Sequence, residues 1–290
     1  MFDKFVDYLK LMRLHKPIGI FLLLWPTLWA LWLAAGGIPD LHVLVVFVAG
    51  TILMRSAGCA INDYADRDID PRVARTKDRP IAAGRVQPEE AVRLFVAISL
   101  IAFGLLTSLK NIHAILLSIP AAALAASYPF MKRWIALPQA YLGLAFSWGI
   151  PMAFVSLQSS VDWSICVELA LANICWVIAY DTYYAMVDRE DDLKAGVKSA
   201  AILFGRQDRL VIALLQGAAL LLLIQIGIKL HCGDWYFGGI AVAAWLAAYQ
   251  QWITRARDPA ACFRAFLNNN YFGAAIFIGL ALDFFMRGAS

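Results

Sequence analysis

The chain has 290 residues, of which 61% are hydrophobic and only 16% charged, with a formal net charge of +4. That is far more apolar surface than one soluble core of this length needs, which excludes a water-soluble globular enzyme and puts the chain in a membrane. The charges are gathered into short segments between apolar runs of roughly 17 to 20 residues, the length that crosses a bilayer core as a helix, and no nucleic-acid partner is expected.

The first apolar run, residues 18–35, follows Lys10, Arg13 and Lys16 and ends at Ala34, Ala35 and Gly36, a layout shared with secretory leaders. It is longer than the roughly 7 to 15 apolar residues of a cleaved leader, so it reads as a retained anchor. Further spans are predicted near 41–60, 91–109, 112–128, 137–156, 165–183, 210–228, 236–253 and 270–287. The expected fold is all-α, a polytopic integral membrane protein with about nine transmembrane helices in a single domain over residues 1–290. With that count, 21 of the 25 Lys and Arg residues fall on the side of the N-terminus; only Lys110, Lys229 and Arg287 fall opposite, and Arg55 lies inside the second span. The positive-inside rule makes the basic side cytoplasmic.

Cys59, Cys166, Cys175, Cys232 and Cys262 are odd in number and show no Cys-x-x-Cys pair, and His15, His42, His113 and His231 give no His-x-x-x-His pair. Transition-metal and disulfide chemistry are therefore not expected. Two cytoplasmic segments, 61–90 and 184–209, are longer than the other loops and carry acids as well as bases. They close on Ala-Gly-Arg at 83–85 and Phe-Gly-Arg at 204–206, a weak echo of internal duplication.

The first segment opens Asn62-Asp63-Tyr64-Ala65-Asp66-Arg67-Asp68-Ile69-Asp70-Pro71. Asn62, Asp66 and Asp70 are four apart, which on a helix aligns their oxygens along one face, with Pro71 marking the end of the array. Carboxylates at the C-terminal end of a helix meet an unfavourable macrodipole and repel one another, so a positive species must offset them. The second segment places Asp181, Asp188 and Asp192 seven and four residues apart, again on one face, and Asn173, eight residues before Asp181, extends that stripe into the membrane. Two facing rows of carboxylates suit Mg²⁺, a hard ion commonly shared between one or two carboxylates and substrate phosphates. The metal set read from the pattern is Asn62, Asp66, Asp70, Asp188 and Asp192. Arg72, Arg75, Lys77, Arg79, Lys194 and Lys198 stand where they would bind the rest of a diphosphate substrate, and Asn62 and Asp63 are counted with the substrate-binding residues.

Arg55 is a charge inside the second span, seven residues before Asn62 and so on the same face. An intramembrane guanidinium marks a functional site by default, and this one would pair with both oxygens of an aromatic carboxylate. Tyr128, Tyr183 and Tyr184, near the cytoplasmic ends of spans four and six, could steady a cation with a ring face.

These motifs resemble the UbiA superfamily of intramembrane prenyltransferases. Its first motif, Asn-Asp-x-x-Asp-x-x-x-Asp, matches Asn62, Asp63, Asp66 and Asp70; its second matches Asp188 and Asp192 with the earlier Asp181. Lys-Pro-Ile-Gly at 16–19, Leu-Leu-Trp-Pro-Thr-Leu-Trp at 23–29 and Tyr-Pro-Phe-Met-Lys-Arg at 128–133 are similar to the bacterial branch acting on 4-hydroxybenzoate in ubiquinone biosynthesis. The resemblance implies an inner-membrane enzyme that uses Mg²⁺ to hold and ionise a polyprenyl diphosphate and alkylates 4-hydroxybenzoate ortho to its hydroxyl, with Asp66, Asp70, Asp181, Asp188 and Asp192 as the catalytic set. It implies that Asp181 polarises or deprotonates the acceptor hydroxyl, and it offers Arg133 as a rival to Arg55 for the acceptor carboxylate. Other superfamily acceptors (dihydroxynaphthoate, homogentisate, haem) remain open. A cation-coupled transporter fits less well, since its carboxylates would sit near the bilayer midplane rather than at one surface.

Overall fold

The computed structural model describes residues 2–73 and 75–288, and among them every regular element is a helix. In chain order they are α1 (Phe2–Leu11), α2 (Ile18–Ala35), α3 (Leu41–Ala65), a 3-10 turn (Asp70–Arg72), α4 (Pro88–Thr107), α5 (Ile112–Met131), α6 (Pro138–Ser147) and α7 (Gly149–Leu157). They continue as α8 (Trp163–Ala195), α9 (Ala200–Phe204), a 3-10 turn (Gly205–Gln207), α10 (Asp208–Lys229), α11 (Asp234–Ile253) and α12 (Pro259–Gly288). All nine predicted spans are helical. The fifth is divided at Trp148 because Pro151 lacks an amide hydrogen and its ring crowds the carbonyl of Ser147, four residues back.

Among the described residues, eight spans are long and apolar enough to cross a bilayer. α11 has the length, at 20 residues, but carries Asp234, Gln250 and Gln251. Gln250 is fully buried, and its amide is satisfied inside the bundle: Oε1 accepts from Gln216 Nε2 at 2.7 Å and Asn269 Nδ2 at 3.2 Å, and Nε2 donates to Asn268 Oδ1 at 2.9 Å. Internal pairing of this kind is what the interior of a membrane protein demands of a polar side chain.

Three helices outrun their predicted spans. α3 reaches Ala65, α8 reaches Ala195, and α12 begins at Pro259. A hydropathy window sees only the apolar stretch of such a helix, whereas the backbone continues into water as long as its side chains allow. The amphipathic α1 was not foreseen. It is pinned under the first long loop by Leu11, buried with Ala60, Ile81 and Val86, and by Lys4 to Glu90 at 2.5 Å and Arg85 Nε to Asp7 at 2.9 Å.

α8, at 33 residues the longest element, packs against α2, α6, α7, α10 and α12. Trp176 at its middle stacks on Phe272 at 5.4 Å, meets Trp29 at 5.2 Å, and donates its indole hydrogen to Asn269 Oδ1 at 2.9 Å. α11 and α12 cross backbone to backbone. A Cβ on Gly239 would lie 2.6 Å from the Ala275 carbonyl, and one on Gly279 would lie 2.7 Å from the Trp235 carbonyl and 2.9 Å from Gly239 Cα. Backbone cannot move aside as a side chain can, so Gly279→Ala is expected to cost about 1 to 3 kcal/mol through overpacking and to lower the thermal midpoint in detergent. Gly217→Ala, where an added Cβ meets nothing within 4 Å, is the matched control that should leave the midpoint unchanged or slightly raised.

Candidate active site

α3 brings Asn62 and Asp63 to the membrane surface on its last turn and stops at Ala65, with Asp66 as its capping residue. Asp70 does not continue this face, as the four-residue spacing suggested, but begins the 3-10 turn Asp70–Arg72. Pro71 cannot join an α-helix here without crowding the carbonyl of Arg67, and a further carboxylate stacked on the negative end of α3 would be repelled. One α-type hydrogen bond survives, from the Asp70 amide to the Asp66 carbonyl at 2.8 Å, and it keeps Asp70 beside Asp66. Asn62 Nδ2 donates to Asp66 Oδ2 at 3.3 Å.

Four bases drawn from three parts of the chain face these acids. Lys132 Nζ meets Asp66 Oδ2 at 2.6 Å, Arg79 Nη1 meets Asp70 Oδ2 at 2.8 Å, and Arg13 Nη2 meets Asp63 Oδ1 at 2.5 Å. Arg79 also reaches Asp63 at 3.3 Å, so Asp63 acts here as an internal counter-ion for two guanidinium groups. Arg75 donates to Asp188 and covers the Tyr184 ring with its guanidinium 4.2 Å from the centroid. Burial raises the Asp70 carboxyl above the ordinary carboxylate range, opposed by Arg79 and reinforced by Asp66 and Asp63. Two carboxylate oxygens, Asp66 Oδ1 and Asp63 Oδ2, are buried with no hydrogen-bond partner.

The second motif lies on the C-terminal extension of α8 beyond its apolar stretch. Gln139 at the start of α6 accepts the Ala200 amide hydrogen on Oε1 at 2.9 Å, which leaves its NH₂ group to hydrogen-bond Asp181. Ser199 and Asp192 both line the cavity at this end. Outside the cavity, Arg189 pairs with Asp208, whose other oxygen takes Arg257 Nη2 at 2.9 Å, so the extension is tied to the loop before α12.

Both motifs open on one cavity of about 710 Å³. Asn62, Asp63, Asp66, Asp70, Asp181, Asp188, Asp192, Arg55, Arg75, Arg79, Tyr128 and Lys198 line it; deeper, its wall is Leu22, Phe47, Leu106, Leu142, Phe146 and Met152. Arg55 donates from Nη1 to Cys59 Sγ at 2.7 Å, its Nε is buried without a partner, and it lies so close to α2 that a Cβ on Gly19 would come within 2.5 Å of Nε.

Several candidates fall elsewhere. Lys77 and Lys194 are exposed outside the cavity, Lys194 at 4.0 Å from Asp191. Arg133 is also outside the lining and donates to the Ala65 carbonyl at the end of α3, a helix-capping role. Tyr183 is buried behind the wall and accepts from Gln251 at 3.1 Å, and Asn173 donates to Ser147 at 2.9 Å away from the cavity. The Arg72 side chain lies outside the described residues. Among the described residues no three His, Cys, Asp or Glu side chains converge tightly enough to hold a metal ion by themselves. The facing rows stand across the cavity from one another and meet bases rather than each other.

Sequence reasoning missed Lys10, Arg13, His15 and Lys16, which line the mouth at the junction of α1 and α2, as well as Lys132, Gln139 and Ser199. Lys132 carried a usable signal, since it stands four residues after Tyr128 and so on the same face of α5. The bases at 10–16 read only as topology markers, because nothing local indicates that α1 folds back against the loop.

The sequence profile of the UbiA prenyltransferase family matches residues 23–277. A 4-hydroxybenzoate octaprenyltransferase from Nitrosococcus oceani is 57% identical over 284 residues, covering 98% of this chain and 99% of its own. One from Aeromonas salmonicida is 55% identical, with 98% of each chain covered. Among solved structures, the apo form of a UbiA homolog from Aeropyrum pernix K1 superposes with a TM-score of 0.80 at 26% identity, over 91% of this chain and 97% of that one. A UbiA homolog from Archaeoglobus fulgidus bound to GPP and Mg²⁺ shares the fold at a TM-score of 0.67 and 19% identity, over 93% and 99%. Sequence profile, full-length relatives and fold agree that the chain belongs to the UbiA prenyltransferase family.

Proposed function

We propose that this protein transfers a polyprenyl chain from its diphosphate to 4-hydroxybenzoate, giving 3-polyprenyl-4-hydroxybenzoate for ubiquinone biosynthesis. The observation that carries the reading is the single cavity that joins both acidic motifs at its mouth to Arg55 on its wall and to an apolar interior. The names of the full-length relatives support the same acceptor. We read residues 1–290 as one domain in the bacterial inner membrane with both motifs cytoplasmic, a reading supported by the segregation of 21 of 25 basic residues to that side.

The donor set fits Mg²⁺. It consists of hard oxygens, and the buried, unpartnered Asp66 Oδ1 in the cavity wall is a ligand atom with nothing else to bind. Such an ion keeps several waters and completes its shell from substrate phosphate, so it does not need three protein acids converging on one point. Asn62, Asp66, Asp70, Asp188 and Asp192 would hold it, and when bound it neutralises charge on the departing diphosphate. Arg75, Arg79, Lys132 and Lys198 stand within the same lining and would hold the other phosphate oxygens, each exchanging its present partner for a phosphate.

The allylic C–O bond breaks with its electron pair leaving on the diphosphate, the ring carbon ortho to the hydroxyl attacks the allylic carbon, and the displaced ring proton is lost. Asp181, oriented by Gln139, is the carboxylate available to polarise or take the proton of the acceptor hydroxyl. Arg55 holds the acceptor carboxylate through its unpartnered Nε edge. Tyr128 lines the same cavity and would steady the electron-poor carbon with its ring, as would Tyr184 once Arg75 has moved from its ring to a phosphate, and the apolar wall keeps out the water that would quench it.

In liposomes given a polyprenyl diphosphate and radiolabelled 4-hydroxybenzoate, product formation should require Mg²⁺ and stop on chelation. Asp66→Ala and Asp188→Ala should each lower kcat/KM by roughly 10³-fold, the scale of a lost metal-borne charge stabilisation. Conversion of another aromatic acceptor in place of this one would move the protein to a different branch of the family, and failure with all acceptors would sink the catalytic reading. Arg55→Ala should raise the KM for 4-hydroxybenzoate roughly 10 to 100-fold, as expected for loss of a charged hydrogen bond, while the KM for the diphosphate holds.

A further inference from the structure

Tyr180 is a buried polar residue with no part in the reaction described so far. It precedes Asp181 on α8, is 2% exposed, and belongs to the cavity wall. Its hydroxyl is buried and has no hydrogen-bond partner. Buried hydroxyls are rarely left unpaired, and leaving one so is costly, so such a group signals a partner supplied from outside the protein. The ionisable groups within electrostatic reach of this hydroxyl are Asp181, Arg55 and Tyr128, all of which line the cavity.

The ring is held rigidly. It meets Trp176 edge-on at 5.2 Å and Phe266 at 6.1 Å, and Trp176 is itself fixed by its hydrogen bond to Asn269. A second orphaned donor, Arg55 Nε, occupies the same wall. One charged donor atom and one neutral donor atom, each without a protein partner, thus belong to residues of the same cavity wall, and such a pair is the complement of a carboxylate.

We propose that the Tyr180 hydroxyl is the second hydrogen-bond donor to the acceptor's carboxylate, beside Arg55, and so a residue that determines specificity for an aromatic acid. This rests on the acceptor reading given above. Tyr180→Phe keeps the ring and removes an oxygen that bonds nothing in the protein, so its thermal midpoint in detergent should match that of the wild type.

The test is equilibrium binding of 4-hydroxybenzoate and of benzoate to wild type and Tyr180→Phe, with steady-state kinetics for 4-hydroxybenzoate and the diphosphate. The expected result is roughly 10-fold weaker binding of both acids and a similarly raised acceptor KM, the size of one hydrogen bond to a charged group, with the diphosphate KM unchanged. A loss seen with 4-hydroxybenzoate but not benzoate would put Tyr180 on the phenolic oxygen and overturn the assignment. Unchanged binding and KM in a wild type that binds and converts the acid would overturn it while the acceptor reading stands. A wild-type protein that binds neither acid overturns both.

Discussion

Crowding of negative charge at one end of the bundle governs the arrangement of everything around it. Asp63, Asp66, Asp70, Asp181, Asp188 and Asp192 all border one cavity. Near a protein surface, two like charges about 4 Å apart repel by roughly 4 kcal/mol, and helix C-termini add an opposing dipole. The compensating bases come from separate stretches of chain: Arg13 from the junction of α1 and α2, Arg75 and Arg79 from the first long loop, and Lys132 from the end of α5. Because the acids need these partners, the electrostatics draws loop, helix ends and N-terminal helix together over the cavity. The chain's other conspicuous features, including the strap of α1 and the burial of Asp63, follow from that requirement.

Beneath this charged end the bundle is built for rigidity. Lipid offers no hydrophobic drive for helices to associate, so association rests on close backbone approach and internal hydrogen bonds. The crossing of Gly239 and Gly279 supplies the first, and the chain from Gln216 through Gln250 and Asn269 to Trp176 supplies the second. That polar chain ends against Tyr180, one residue from Asp181. Structural stiffness deep in the membrane is thereby passed to side chains that face the cavity, and the pair of Arg189 and Asp208 does the same for the extension that carries Asp188 and Asp192.

The cavity itself divides its tasks by depth. Its mouth is charged, its middle holds Arg55, Tyr128, Tyr180 and Asp181, and its interior is aliphatic and aromatic. Such a gradient accommodates a substrate with a phosphate head and a hydrocarbon tail in one orientation only. A reactive carbon at the boundary between the two zones is shielded from water by the same packing that places the bundle in the bilayer.

How much of this was legible in the sequence differs by element. Hydropathy located nine helices, eight of them long and apolar enough to cross a bilayer, because the cost of exposing backbone and polar groups to lipid is paid locally and leaves a local trace. The spacing of Asn62 to Asp66 and of Asp181, Asp188 and Asp192 identified both acidic clusters for the same reason: periodicity is a property of one helix. Departures began where partners lie far apart in the chain. The position of Asp70 turned on Pro71 and the end of α3, and Arg133 proved to cap that helix while its neighbour Lys132 meets Asp66. Lys77 and Lys194 look no different in sequence from Arg75 and Lys198, yet only the latter two reach the cavity. The sequence by itself determined the membrane, the spans, the segregation of basic charge and the two rows of acids, all of them consequences of local composition and spacing. Only the tertiary structure decided which base answers which acid and which buried donors, Arg55 Nε and the Tyr180 hydroxyl, are left without a partner, because those depend on helices remote in sequence meeting at a single cavity.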